Sequence, residues 1–414
     1  MTVISRDRST CERPKSAKTS ALETKQAILF CALAFVASRS LLLTVGYLAY
    51  TGRLPLSISP DRAMNEVFAN PFLDIWFAWD SNWYLSIVTD GYQPEAGSAA
   101  GAGFKQANWA FFPFYPWVSA NTAYITGLSA EVSLLLVANI AFLAALFLLY
   151  RELTDLADES AAKLAVILLL VWPGTHFFSS AYTESLFLLC VVATLRFARL
   201  HRFLAAATVA ALATLTRSPG IMLVFPIALY AWQAWAKTAG RPLTVSSGFK
   251  FALSMDGAKT LAICCLPLTA LLGFMAHLYA VSGDPIAFAN IQEAWGRQPR
   301  NPFMEFVRPL IAPSTIPIGQ WPDYLSMWLL PIPIYLLWRD RNWPYLTFAA
   351  ILCLLAITAG VVSLNRQMLV VFPITAIVAM TLARSKLATI IVIPLAALGA
   401  FILMAFWSAG YGVV

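Results

Sequence analysis

An all-α, polytopic membrane protein is the fold class this chain predicts, and three observations carry it. Of the 414 residues, 59% are hydrophobic and 12% are charged, whereas a soluble domain carries about 25% charged residues. The mean hydropathy is +0.70. The apolar residues fall in continuous runs near the length a helix needs to cross a bilayer, not in the shorter alternating runs of a barrel strand. In lipid every backbone polar group must be satisfied internally, so such runs span as helices.

Taken in order, residues 1–26 form a polar, basic tail without the pattern of a secretory signal. The first apolar run is too long for a signal-peptide core and reads as a retained anchor. Apolar runs follow at 27–49, 131–150, 161–177, 180–198, 203–216, 218–236, 259–281, 324–338, 342–362, 366–383 and 387–408, giving a bundle of about 11 transmembrane helices over 27–414. A further stretch, 111–127, is interrupted by Pro113, Pro116 and Asn121 and is expected to lie at the interface or re-enter.

Basic residues set the orientation, because cytoplasmic loops are enriched in Lys and Arg. With the N-terminus inside, 19 of the 28 Lys and Arg residues face the cytoplasm and 8 face outward, with Arg39 inside the first span. The net charge of +7 is thus a record of topology, not of nucleic-acid binding. This layout leaves two larger extracytoplasmic loops, 50–130 and 282–323, and places three short turns beside them: 173–183, the turn at Arg217, and 363–367. The unusual polar residues collect on that one face. Cys11, Cys31, Cys190, Cys264, Cys265 and Cys353 lack metal-site spacing and read as small, mostly core residues.

Five clusters on that face can carry chemistry. In Trp79-Asp80-Ser81-Asn82-Trp83-Tyr84 a carboxylate stands among aromatics. An interfacial belt explains Trp and Tyr but not the Asp, which is placed to act as a general base; Trp79, Trp83 and Tyr84 offer faces to a sugar. Asp90-Gly91 reads as a turn. Phe111-Phe112-Pro113-Phe114-Tyr115-Pro116 is a helix-breaking segment suited to the membrane surface. In Pro173-Gly174 through Tyr182-Thr183-Glu184, ordinary helix capping competes with a binding role for Tyr182 and Glu184. Arg217 in Thr216-Arg217-Ser218-Pro219-Gly220 and Arg366 in Asn365-Arg366-Gln367 either snorkel to headgroups or fork onto phosphate oxygens. Gly283-Asp284-Pro285 is a turn in its own right; Asp284, Gln292 and Trp295 are substrate-binding candidates, as is Asn365. Arg39, mid-span, needs a partner inside the bundle and is a third candidate for phosphate.

These clusters, in this order, resemble the PIG-V-like mannosyltransferases, polytopic enzymes of the GT-C glycosyltransferase superfamily. The matching elements are Ser38-Arg39; Trp79-Asp80 with Trp83-Tyr84 and Gly91-Tyr92; Phe111-Phe112-Pro113 with Tyr115-Pro116; Ser180 to Ser185; Thr216 to Gly220; and Asn365-Arg366 before Phe372-Pro373. The resemblance runs from about residue 30 to 375. It implies transfer of a hexose, most often mannose, from a polyprenyl phosphate carrier to an acceptor glycan or glycolipid on the extracytoplasmic face. It implies Asp80 as the base of an inverting displacement and phosphate binding by Arg217 and Arg366. The short chain and compact loops look like those of a prokaryotic plasma-membrane relative. The chain has no Asp-x-Asp motif and no carboxylate pair set for a metal, so neither metal nor cofactor is expected. A secondary transporter or flippase would show paired broken helices near the midplane in two similar halves. No repeat is present, and Arg39 alone speaks for that reading. A non-catalytic assembly subunit is the third.

Overall fold

The computed structural model describes residues 17–59, 68, 70–98, 105–297 and 299–412. Of the basic tail expected over 1–26, residues 1–16 lie outside the described residues, as does Cys11. The remaining cysteines are free thiols; Cys31, Cys190 and Cys353 are buried and Cys265 is exposed.

Helix α1 (Ala17–Tyr50) leads into a first loop that contains α2 (Pro71–Asp74), α3 (Ser81–Asp90) and α4 (Phe114–Thr126). The loop also holds a two-stranded antiparallel pair that joins Gly97 to Gln106 and Ser98 to Lys105. The bundle continues through α5 (Ala130–Leu156), α6 (Glu159–Val171), α7 (Glu184–Arg199), α8 (Phe203–Thr216), α9 (Val224–Thr238), α10 (Val245–Ala252) and α11 (Met255–Ser282). A second loop carries α12 (Ala287–Asn290) and α13 (Pro302–Ile311). It is followed by α14 (Trp321–Leu329), α15 (Pro331–Arg339), α16 (Trp343–Thr358), α17 (Leu364–Met368), α18 (Phe372–Leu382) and α19 (Lys386–Ser408).

Helix starts follow local chemistry. The side chains of Ser129, Asp158, Ser254 and Ser385 accept the first free N–H groups of α5, α6, α11 and α19, the usual N-cap arrangement. Helix α5 packs against both α6 and α7, and α7 against α8, with α11 against α8, α18 against α6 and α19 against α1. Ala206, Ala207, Ala210 and Ala213 of α8 are fully buried, and these small side chains bring helix backbones close.

Among the described helices, five are long and apolar enough to cross a membrane: Leu22–Tyr50, Ala130–Leu156, Ser218–Thr238, Met255–Ser282 and Lys386–Ser408. The chain is an integral membrane protein. Of the other expected spans, 203–216 coincides with α8, 324–338 is divided between α14 and α15, and the remaining four are shorter than their apolar runs. Helix α6 stops at Val171, α7 starts at Glu184, α16 stops at Thr358 and α18 starts at Phe372. Pro173-Gly174 and Gly360 end the helices there, and the intervening segments run as turns. Irregular backbone of this kind is tolerated at membrane depth where protein surrounds it. The stretch 111–127 forms α4, a 13-residue helix that packs on α5, α3 and α8.

The C-terminal end of α19 returns to the first loop. The Trp407 indole donates to Ile75 O at 2.8 Å, Ser59 N donates to Ala409 O at 2.8 Å, and the Tyr411 and Ser57 hydroxyls lie 2.5 Å apart. At the opposite end of the bundle, Glu152 is fully buried and saturated. Its Oε1 accepts Arg199 Nε at 2.7 Å and Tyr345 OH at 2.8 Å, and its Oε2 accepts Arg196 Nη1 at 2.8 Å and Arg199 Nη2 at 2.7 Å. This ties α5, α7 and α16 together. Removing one member strands the others in a low-dielectric interior, so Glu152→Ala is expected to destabilise the fold by about 3–5 kcal/mol. Lys163→Ala, which breaks an exposed pair with Glu159, is expected to change stability by less than about 1 kcal/mol. Thermal unfolding of the purified protein in detergent, followed by intrinsic tryptophan fluorescence, compares the two.

Candidate active site

Four polar segments meet at the end of the bundle where the helices are cut short. The first loop supplies Asp80. The chain turns sharply before it, with Trp79 in the left-handed region at φ 53°, a conformation that a bulky residue holds only where its surroundings enforce it. Tyr182 provides part of that constraint. Its hydroxyl donates to Ala78 O at 3.0 Å and accepts from Asp80 N at 3.2 Å. Asp80 sits at the N-cap of α3 but makes no side-chain cap bond. Its carboxylate turns toward Arg366 instead, with Nη1 to Oδ2 at 2.8 Å.

Arg366, carried by the short α17, is 5% exposed. Its Nε donates to Glu184 Oε1 at 2.6 Å. Its guanidinium lies 4.4 Å from the Tyr182 ring centroid and 5.2 Å from that of Phe177, within cation–π range. Glu184, the first residue of α7, is fully buried. The same Oε1 accepts Arg217 Nη1, while Oε2 has no hydrogen-bond partner. Arg217 ends α8 and is followed by a 3-10 turn in which Gly220 lies directly on the backbone of Ala213 and Thr214, leaving no room for a side chain. The result is an alternating row of charges, Asp80, Arg366, Glu184 and Arg217, from four distant parts of the chain. Its two ends are partly open: the Asp80 and Arg217 side chains are each 21% exposed.

A fifth charge, Arg297, went unnoticed in the sequence because a single Arg in a polar loop is ordinary. Trp295, two residues before it, packs edge-on against Trp83 and Phe111, with ring centroids 5.8 and 5.9 Å apart. Gln292 Oε1 accepts Arg297 Nη1 at 3.2 Å. Arg297 is exposed, yet enough protein surrounds it that desolvation, the largest effect, lowers its proton affinity. Asp80 opposes that change, and Arg366 and Arg217 add to it. Arg297 therefore stands within electrostatic reach of Asp80, Arg366 and Arg217.

The remaining candidates are placed differently. Tyr84 is buried against Phe111, Tyr115 and Tyr182, its hydroxyl 3.3 Å from Thr183 Oγ1; no ring face is left for a sugar. Trp83 stacks on Phe111 at 6.0 Å. Asp284 closes its own turn through Ile286 N at 2.9 Å and Asn290 Nδ2 at 2.7 Å. Asn365 bridges Pro173 O and Ser326 Oγ. Arg39 finds its partners inside the bundle and away from the row of charges. Its Nη1 donates to Thr175 O at 2.9 Å and Ser179 Oγ at 3.2 Å, and its Nη2 to Thr175 Oγ1 at 2.8 Å. It braces the 175–179 turn, so its mid-span charge has a structural account that needs no transport pathway. Among the described residues, no group of three His, Cys, Asp or Glu side chains is placed to hold a metal ion.

The mannosyltransferase (PIG-V) family model matches residues 25–238, just over half of the chain. The chain belongs to this family. The matched region of this mannosyltransferase-family chain includes Asp80, Tyr182, Glu184 and Arg217 and stops short of Arg297 and Arg366. No curated protein matches it in sequence. Among solved structures it is similar to ArnT from Cupriavidus metallidurans bound to undecaprenyl phosphate, at 13% identity and TM-score 0.48 over 92% of this chain and 76% of that one. Apo ArnT gives 13% identity and TM-score 0.49 over 95% and 78%. The Archaeoglobus fulgidus oligosaccharyltransferase AglB, in complex with an inhibitory peptide and a dolichol-phosphate, gives 13% and 0.44 over 91% of this chain. The chain spans 56% of the AglB chain.

The two supports of the row differ in kind, and stability measurements separate them. Tyr182→Phe removes one hydroxyl bridge and is expected to cost about 1 kcal/mol. Glu184→Ala leaves two guanidinium groups without their shared carboxylate and is expected to cost about 3–5 kcal/mol. Detergent-based thermal unfolding of both variants beside the parent tests this order.

Proposed function

We propose that this membrane glycosyltransferase moves mannose from a polyprenyl phosphate carrier to a hydroxyl of an acceptor glycan or glycolipid, on the extracytoplasmic side of the membrane. The observation that carries this reading is the pairing of Asp80 with buried Arg366, in a charge row that ends at the partly exposed Arg217 and lies within electrostatic reach of Arg297. Family membership supports the sugar, and the accessible guanidinium groups of Arg217 and Arg297 support a phosphate-bearing donor.

In this mechanism the ion pair fixes Oδ2 of Asp80 and leaves Oδ1 for the acceptor. Oδ1 takes the hydroxyl proton as the acceptor oxygen forms its bond to the anomeric carbon. The bond from that carbon to the phosphate oxygen breaks on the opposite face, so configuration inverts. Polyprenyl phosphate leaves with one more negative charge than the bound donor carried at phosphorus. In this scheme Arg217 and Arg297 meet that charge as cations already held in place by the fold, which spares the reorganisation that water would need. Arg366, held on two carboxylates and packed between aromatic rings, positions Asp80 and is not a phosphate ligand in this scheme.

Two variants test the assignment with purified protein and polyprenyl-phosphate mannose. Asp80→Asn keeps the shape and removes the base, so kcat is expected to fall by about 10²–10⁴-fold with donor binding retained; near-parental turnover would sink the role of Asp80. Arg217→Ala is expected to weaken donor binding by roughly ten-fold or more, as loss of a charge-assisted contact does. An unchanged donor KM would remove Arg217 from the phosphate site. Substrate uptake into liposomes without release of free polyprenyl phosphate would favour the transporter reading instead.

A further inference from the structure

Asp323 is a second buried carboxylate behind the site, 3% exposed, in the first turn of α14. No ion pair to it is formed among the described residues. It is instead bound by backbone: Oδ2 accepts Ser363 N at 3.1 Å and Oδ1 accepts Asn365 N at 2.8 Å. Those N–H groups belong to the start of α17, where the donors of a helix have no intrahelical partner. Ser363 occupies the N-cap, but its side chain makes no cap bond, and its backbone is in the left-handed region at φ 66°. A carboxylate some 40 residues upstream does what the local hydroxyl does not.

The consequence reaches the reacting groups in two steps. Helix α17 has five residues, too few to persist by their own hydrogen bonds. It nevertheless has to aim Arg366, whose guanidinium meets both Asp80 and Glu184. Asp323 and Arg366 line one small cavity together with Phe177, Pro322 and Asn365, so the cap and the guanidinium it aims are neighbours in space. Burying a carboxylate with only neutral donors is unfavourable beside an amide or hydroxyl cap, and the strained Ser363 backbone adds to that. Both are compensated only if the turn they hold matters.

We infer that Asp323 is a positioning residue that fixes the Ser363–Asn365 turn and, through it, the contact of Arg366 with Asp80. Its effect on turnover rests on the function proposed above; its effect on the turn does not.

The test uses the full chain in detergent and two readouts. In Asp323→Ala, amide hydrogen exchange in a peptide covering 361–368 is expected to speed up by about ten-fold or more, with peptides from α5 and α7 unchanged. Unaltered exchange there overturns the inference, whatever the catalytic result. In mannose transfer, Asp323→Ala is expected to lower kcat by roughly 10–100-fold, the scale of a small misplacement, with donor KM little changed. In an Arg366→Ala background the same substitution is expected to lower kcat by less than about two-fold, because both variants break one pathway. Losses that multiply show that Asp323 acts independently of Arg366 and overturn the inference. Asp323→Asn, which keeps one acceptor and the side-chain shape, is expected to fall between parent and Asp323→Ala in both readouts, and a well-folded Asn variant that exchanges like the parent counts against the need for a carboxylate. If the parent transfers no mannose, the proposed function fails, and exchange alone decides the role of Asp323.

Discussion

The guanidinium of Arg366 is the interaction on which this end of the molecule depends. A cation at 5% exposure needs strong partners at hydrogen-bonding distance, and Arg366 has two carboxylates, Asp80 at 2.8 Å and Glu184 at 2.6 Å. Glu184 is shared in turn with Arg217. The charges alternate in sign along the row, so each is flanked by its opposite. Remove an inner member and like charges face one another across a desolvated gap, the situation in which a broken buried pair is most destabilising. The row therefore acts as a register for four chain segments, fixing where the first loop, α7, α8 and α17 meet.

That register dictates the irregular ends of the helices. A regular span would place its side chains along one cylinder, whereas the row requires each segment to present one group at a common point. The chain meets the requirement by unwinding. Gly174 takes φ 88° between α6 and the 3-10 turn, and Gly220 allows the turn after Arg217 to lie flush against α8. The unwound backbone is then fastened from outside: Arg39 and Asn139 hold the 175–179 turn, Tyr182 holds the 78–80 turn, and Asp323 holds the turn before Arg366. In each case a side chain from a distant element satisfies backbone groups that a helix would have satisfied itself.

How far this was legible in the sequence follows from the same physics. Asp80, Glu184, Arg217 and Arg366 stand out because ionisable residues in a chain this apolar need a reason, and counting basic residues puts all four on one face. Helix starts at Ser129, Asp158 and Ser385 are written locally in cap residues. The pairing is not. Arg366 reads as a phosphate ligand until its donors are seen on Asp80 and Glu184, 286 and 182 residues away, and nothing in a linear pattern encodes contacts of that separation. Tyr84 reads as a stacking platform until it is seen sealed beneath Phe111. Arg297 and Asp323 do not stand out for the opposite reason: in a polar loop a charge is ordinary, and only the folded chain shows one within reach of the row's charges and the other buried. The helices at these places end inside their apolar runs because hydropathy continues through Phe177-Phe178 and Val370-Val371 although the helix does not.

The bundle has a second buried ionic cluster, and the contrast explains why one reads as a clamp and the other as a site. Glu152 at the far end accepts two hydrogen bonds on each oxygen, from Arg196, Arg199 and Tyr345. No acceptor capacity remains for a ligand, and the cluster joins three helices and does nothing else. At the site end the accounting is left open. Glu184 takes both arginines on Oε1 and leaves Oε2 unpaired, Asp80 meets Arg366 through Oδ2 alone, and Arg297 is exposed with no carboxylate bound to it among the described residues. A buried acceptor without a partner is unfavourable in a finished structure, so the open Oε2 of Glu184 sets this row apart from the saturated carboxylate at the far end.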